Sequence, residues 1–293
     1  MRNKIVSFIV LIFLISTAKL AGQKNINSPY ARFNLGVLNT PGTFRSLAMG
    51  GISIATRDNN TITFTNPASY TSLDTSSFVF DMGLDLSSLT IKDAENSYSS
   101  TDMNFRHILM GFPLSKKIYA ATGIVPYSNG YYYISETITK NNPEWNPITG
   151  DYTSVHKGSG SITTFFAGTG IEITKNLSAG LNFNLLFGSL ERLNQFEFAD
   201  YQTSFHQSST ENFKISGFNF DYGIQYTENI KKDYFLTTGA SFTSSKYYKS
   251  DFEILKERYS VYEYSPYSPD TLSHYSSTSN DSTMLPATLR FGI

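Results

Sequence analysis

From Thr75 onward the sequence alternates apolar residues with polar or small ones at period two. A chain written this way lays its side chains on the two opposed faces of extended strands. Phe78, Phe80, Met82, Leu84 and Leu86 share one face, and Asp81, Gly83, Asp85 and Ser87 share the other. Phe218, Phe220, Tyr222, Ile224 and Tyr226 likewise oppose Gly217, Asn219, Asp221, Gly223 and Gln225. Leu181, Phe183, Leu185 and Phe187 oppose Gly180, Asn182, Asn184 and Gly188, with Leu186 blurring the pattern, and Thr163, Phe165, Ala167, Ile171 and Ile173 form a weaker version. Composition agrees: aromatics reach 15% against only 16% charged residues, a balance that favours strands over helices.

Alternation alone does not separate a soluble sandwich, apolar face inward, from a membrane wall, apolar face outward. Turn spacing does. Strands are expected near 75–91, 101–113, 118–137, 159–174, 177–198, 211–229, 234–255 and 284–293. Their joins are short at 114–117, 174–176 and 230–233 and longer at 92–100, 138–158, 199–210 and 256–283. Short periplasmic turns opposite long outer loops are the layout of a membrane barrel. In hydrocarbon every backbone N–H and C=O must be paired, and only a closed barrel leaves no edge. The expected fold is therefore all-β, a transmembrane antiparallel β-barrel over 75–293, with Asp81, Asp85, Asn182, Asn184, Asn219 and Asp221 lining the lumen as polar filling or as ligand contacts. The turn lysines Lys116, Lys117, Lys175, Lys231 and Lys232 read as solvated charges. Tyr131, Tyr132, Tyr133, Tyr247, Tyr248, Tyr259, Tyr262 and Tyr264 gather toward the long loops and suit an interfacial aromatic girdle, with capture of amphipathic molecules as a second use.

Residues 1–22 carry Arg2 and Lys4, an apolar run over 5–15, and small residues at Ser16-Thr17-Ala18 and Ala21-Gly22. This is the layout of a cleaved export signal, with the mature chain starting near Gln23. The run is shorter than the roughly 20 residues an anchoring helix needs, so the expected location is the bacterial outer membrane.

The chemistry is thin. The chain has no cysteine, which removes disulfides, zinc-thiolate sites, a cysteine nucleophile and an acylated cysteine together. A net charge of -1, from 23 basic and 24 acidic residues, gives no footprint for nucleic acid. His107, His156, His206 and His274 have no metal-ligand spacing. A serine hydrolase with His107 or His206 as base lacks a Gly-x-Ser-x-Gly elbow, and Gly158-Ser159-Gly160-Ser161 reads as a flexible start to a strand. With no phosphate-binding or dinucleotide fingerprint either, the expectation is a chain with no enzymatic activity, cofactor or metal.

Residues 23–74 differ, broken by Gly36, Pro41, Gly50, Gly51 and Pro67 into compact irregular structure. They hold Ala48-Met49-Gly50-Gly51-Ile52-Ser53-Ile54-Ala55, then Asp58-Asn59-Asn60, then Asn66-Pro67-Ala68-Ser69-Tyr70. This order resembles the FadL-like family of outer-membrane transporters for long-chain fatty acids and other hydrophobic compounds, though Ser69 stands where that family has glycine. Ser28-Pro29-Tyr30-Ala31-Arg32-Phe33, Leu177-Ser178-Ala179-Gly180-Leu181-Asn182 and Leu285-Pro286-Ala287-Thr288-Leu289-Arg290-Phe291-Gly292 carry the likeness further. The resemblance implies that 23–74 form an N-terminal hatch or plug, with Gly50, Gly51, Asn66, Pro67 and Ala68 as its motif. Asn66-Pro67-Ala68 also suits a simple turn, the Asn capping and the Pro fixing φ.

Proline cannot donate to a ladder, so Pro126, between Gly123 and Asn129-Gly130, is expected to interrupt its strand. The resemblance implies a lateral opening there, involving Gly123, Val125, Pro126 and Asn129, against the reading of an ordinary strand end. The family's barrel has about fourteen strands, whereas about eight are legible here, so the chain reads as a fragment lacking C-terminal strands, an open sheet with exposed first and last edges. The implied function is a channel for passive uptake of hydrophobic compounds such as long-chain fatty acids. The alternative is a barrel that serves as a secretion or surface-assembly scaffold. Expected partners are membrane lipid, hydrophobic small molecules and, for the scaffold, outer-membrane proteins.

Overall fold

The computed structural model describes residues 28–76, 78–92, 97–199, 205–232, 234–260 and 270–293. The expected export signal at 1–22 lies outside these residues, as do Tyr262 and Tyr264. The fold is all-β and antiparallel. Its strands are β1 (Val37–Leu38), β2 (Val79–Lys92), β3 (Ser97–Pro113), β4 (Ile118–Asn129), β5 (Tyr132–Ile138), β6 (Tyr152–Glu172), β7 (Leu177–Phe198), β8 (His206–Lys231), β9 (Tyr234–Thr243), β10 (Lys246–Ser260), β11 (Asp270–Leu285) and β12 (Thr288–Gly292).

All twelve belong to one sheet, with the main order β2-β3-β4-β6-β7-β8-β10-β11. β1 pairs with β4, β5 with β6, and β9 with both β8 and β12. Two expected long strands are each two pieces in line, β4 and β5 parting at Gly130-Tyr131 and β9 and β10 at Ser244-Ser245, while β12, within the strand expected over 284–293, continues the line of β11 across a break at Pro286-Ala287. Among the described residues β2 and the β11–β12 line pair on one side only, so the sheet is open and no closed barrel is formed.

The hairpins are taller than the alternation suggests. β6, β7 and β8 run for 21, 22 and 26 residues. Much of 92–100, 138–158 and 256–283, expected as loops, is ladder instead, with β10 and β11 paired from Lys246↔Leu285 to Ser260↔Asp270. Over residues 273–282 both faces are exposed to solvent, which erases the apolar period without weakening backbone pairing.

The sheet's apolar face is its exposed face. Phe80, Met82, Leu84 and Leu86 on β2, Leu181, Phe183, Leu185 and Phe187 on β7, Phe218, Tyr222 and Ile224 on β8, and Leu289 and Phe291 on β12 are all exposed. The opposite face carries the core. One cluster joins Ile62, Tyr70 and Leu73 to Leu109, Tyr119, Ala121 and Phe166, and a second joins Ile162, Leu186, Leu190, Ile215 and Tyr248.

Residues 28–74 supply the near side of the first cluster. They are irregular, with 3-10 turns at Pro29–Arg32 and Pro67–Ser72 and a single-turn helix, Phe44–Ala48. This segment meets strands from both ends of the order: a Cβ on Gly83 of β2 would lie 2.8 Å from the Phe44 ring, and one on Gly292 of β12 would lie 3.0 Å from Ala55 N. The sheet therefore curls around the segment.

Candidate functional site

The Asn66-Pro67-Ala68 turn sits where this curl is tightest. Asn66 is fully buried; its Oδ1 accepts from Ala68 N (3.2 Å), and its Nδ2 donates to Ile54 O (2.7 Å) and Ile224 O (3.3 Å). It caps the 3-10 turn that Pro67 opens, as the simple-turn reading expects, and it also ties that turn to β8. Three glycines make room. Gly170, Gly180 and Gly223 are cross-strand neighbours on β6, β7 and β8. A Cβ would stand 2.8 Å from Pro67 O at Gly170, 2.6 Å from Ala68 N at Gly180 and 2.7 Å from Pro67 Cδ at Gly223. Only a row without side chains lets the turn rest on the sheet backbone. Gly50 and Gly51, at φ +78 and +88, do something different: their N–H groups donate to Leu47 O and Ser46 O and end the short helix.

Beside the turn, Arg57 donates to Gln225 Oε1 (3.0 Å), Ser178 Oγ (3.3 Å) and Thr71 Oγ1 (2.9 Å). Gln225 in turn donates to Ile54 O (2.8 Å). Burial lowers the Arg57 guanidinium pKa, opposed by the Glu172 carboxylate and Tyr119. Tyr70 is fully buried and donates to Asn182 Oδ1 (2.8 Å), while Asn182 Nδ2 donates to Phe64 O (2.9 Å). Burial pushes the Tyr70 phenol well above its ordinary range.

Above the turn lies a cavity of about 340 Å³ between residues 38–42 and 64–65 on one side and the inner sheet face on the other. Asp85, Asn184, Asn219 and Asp221 line it; Asn182 is sealed beneath Tyr70, and Asp81 faces His107 Nε2 at 3.2 Å instead. The lining polar groups are largely spoken for. Asp221 accepts from Asn184 Nδ2 (2.7 Å) and Thr243 Oγ1 (2.5 Å), and Asn219 donates to Ser244 O (2.8 Å), satisfying backbone freed at the β9–β10 break. Asp85 lies 3.8 Å from Arg106, whose other nitrogen donates to Thr40 O (2.6 Å). Asn104 and Thr65 differ: both are buried to 7% exposure, both line the cavity, and neither Asn104 amide atom nor Thr65 Oγ1 has a partner among the described residues.

The expected opening residues are placed separately. Gly123 lies inside the paired region, opposite Leu109, where a Cβ would strike the Leu109 side chain at 2.7 Å. Val125, Pro126 and Asn129 line the cavity. On the β6 side the ladder runs through Pro126↔Thr163 with a register shift before Ser128↔Ile162. On the β3 side it ends at Ile108↔Ile124. Beyond that point β4 pairs with β1 instead, through Val37↔Asn129 and Leu38↔Ser128, and Asn39 N donates to Tyr127 O (2.9 Å). Residues 97–107 of β3 thus pair only with β2 among the described residues.

Of the residues singled out from the sequence, Asp85, Val125, Pro126, Asn129, Asn184, Asn219 and Asp221 line the cavity, and Asn66, Pro67 and Ala68 form the turn below it. Sequence reasoning missed Arg57, Tyr70 and Gln225, whose roles arise from contacts far apart in the chain, Arg57 to Gln225 spanning 168 residues, and it missed Asn104 and Thr65, which stand out only by being buried without a partner.

A family model described as BamG matches residues 1–293. Searches of the curated proteins and of the solved structures return no match. The full-length match corrects the FadL-like resemblance: the chain falls in a different family. The motifs behind that resemblance are short, and their geometry explains why they mislead. A capped Asn-Pro turn on a glycine row is what docking an irregular segment against strands requires, whatever the lineage.

Proposed function

Since the chain belongs to the BamG family, we propose that it is a bacterial outer-membrane-associated β-protein whose sheet stands in the bilayer as a secretion or surface-assembly scaffold for other outer-membrane proteins. The observation that carries the membrane half of this reading is the inversion of the sheet. Its large apolar side chains face outward on β2, β7, β8 and β12, while its inner face, which mixes a small core with buried polar residues such as Asn182, Asn219 and Gln225, is packed against residues 28–74. In water such a belt would be a large unsatisfied apolar patch; in lipid it is the favourable surface.

Strand height supports the scaffold half. At roughly 3.3 Å per residue, β8 alone is about 85 Å along its path, far beyond the roughly 25 Å of an outer-membrane apolar band. The surplus is polar ladder standing in water, with residues 273–282 of β11 exposed on both faces, and it offers surface to partner proteins.

Uptake of hydrophobic compounds is a second reading, favoured by the cavity's apolar wall of Phe64, Val125, Phe166 and Leu186. Deleting the gene separates the two. The scaffold reading expects other outer-membrane proteins to fall in abundance while uptake of a labelled fatty acid is unchanged; lost uptake with a normal outer-membrane protein profile would replace it by the second.

A further inference from the structure

The end of the β3–β4 ladder leaves an unmet backbone. From residue 97 to 107, β3 bonds to β2 on one side, and no described residue pairs with its other side. A free antiparallel edge of this length is complementary to one thing above all, another extended backbone. The neighbouring side chains add to this. Asn104, at 7% exposure, holds an unpartnered amide N–H donor and an unpartnered amide acceptor beside the cavity, the complement of a peptide unit. Thr65 Oγ1 is similarly unpartnered on the facing wall.

Charge narrows the choice. Asp102 is buried, and the one hydrogen bond to its carboxylate among the described residues comes from Ser100 Oγ (3.2 Å). Among the described residues Asp85, opposite Asn104, has one ion-pair partner, Arg106 at 3.8 Å, and Asp81 has the His107 ring. Along β2 and β3 the inner face therefore carries three carboxylates against one guanidinium.

We propose that the free edge of β3 takes up an extended segment of a partner polypeptide by strand addition, with basic side chains of that segment directed at Asp85 and Asp102 and its backbone read by Asn104. Residues 97–107 of β3 supply the main-chain bonds. The cavity accepts the inward side chains, alternate residues of the added strand facing it. The proposal rests on the scaffold reading for the nature of the partner. Its assay uses purified protein, so peptide binding can fail while the envelope phenotype stands.

The chain has no cysteine, so a single reporter can be placed. Thr101→Cys, exposed on β3, carries an environment-sensitive fluorophore; Leu185→Cys, on β7 between two paired neighbours, is the control. The probes are a short alternating Lys-Val peptide, its Glu-Val counterpart and an N-methylated Lys-Val peptide that cannot form ladder bonds. Saturable binding of Lys-Val at Thr101 and not at Leu185 is expected, weakened about tenfold or more by N-methylation, by the Glu-Val exchange, and by Asp102→Asn or Asn104→Leu. Equal binding of the N-methylated or Glu-Val peptide would overturn the proposal. So would a response at Thr101 to a fatty acid but not to any peptide, which would make the gap a lipid site. N-methylation leaves the protein untouched, so a variant that folds poorly does not blunt the test.

Discussion

Asn66 and Gly180 lie 114 positions apart in the chain, yet the turn that Asn66 caps depends on the hydrogen atom Gly180 carries in place of a side chain. At Gly50 an added Cβ meets nothing within 4 Å, and the cost of alanine is the positive φ alone, about 1 kcal/mol. At Gly180 the obstacle is the backbone of Pro67 and Ala68, which cannot swing aside, so Gly180→Ala is expected to cost about 3 kcal/mol or more. Urea titration of both variants in detergent checks the ordering, and equal midpoints would remove the seating role of the glycine row. Tyr70 makes a pH prediction. Its folded pKa is raised above the ordinary value near about 10, so its contribution is complete below that pH and is lost as pH rises beyond it. Tyr70→Phe cannot ionise but leaves Asn182 Oδ1 without its donor, costing about 1–3 kcal/mol near neutrality. The stability gap between wild type and variant should therefore hold up to about pH 10 and shrink as pH rises further; a gap that stays constant or widens above that pH would contradict the assignment.

At the level of strands, the exposed apolar belt makes a prediction that depends on solvent. Phe183 faces outward on β7 against Phe218 and Phe220. Phe183→Lys is expected to lower stability in lipid vesicles by about 2–4 kcal/mol, while Thr278→Lys on the exposed part of β11 stays within about 0.5 kcal/mol. Similar losses for both would place the belt outside hydrocarbon. The same belt explains what could be read in advance. Strand positions were legible wherever one face is apolar, as at Phe78 to Leu86 or Phe218 to Tyr226, because the two faces meet different surroundings. Where both faces meet water, as over Ser273 to Ser282, alternation carries no signal and the ladder went unseen. Pro126 announced a bulge, but nothing local announced that β1 would take β3's place beside β4. The Asn66 cap was visible as a motif; its seat on Gly170, Gly180 and Gly223 needed three strands in register.

The molecule as a whole has a tall side and a flat side. The joins at 114–117 and 174–176 are tight turns, whereas the β10–β11 hairpin rises well beyond the belt. If the sheet stands in the outer membrane with its turns toward the periplasm, Ser277→Cys should react with an impermeant maleimide in intact cells and Lys116→Cys only after permeabilisation. The reverse pattern would invert the orientation. A last consequence concerns how such a molecule comes to be. Residues 28–74 are gripped by β2 at one end of the sheet and β12 at the other, with Gly83 against Phe44 and Gly292 against Ala55. A segment gripped from both ends of the sheet is most simply seated while the strands are still being laid down, like cloth wound on a mandrel. Synthesis from the N-terminus delivers that mandrel first, and a permuted gene that made it last would have to thread it into a roll already wound.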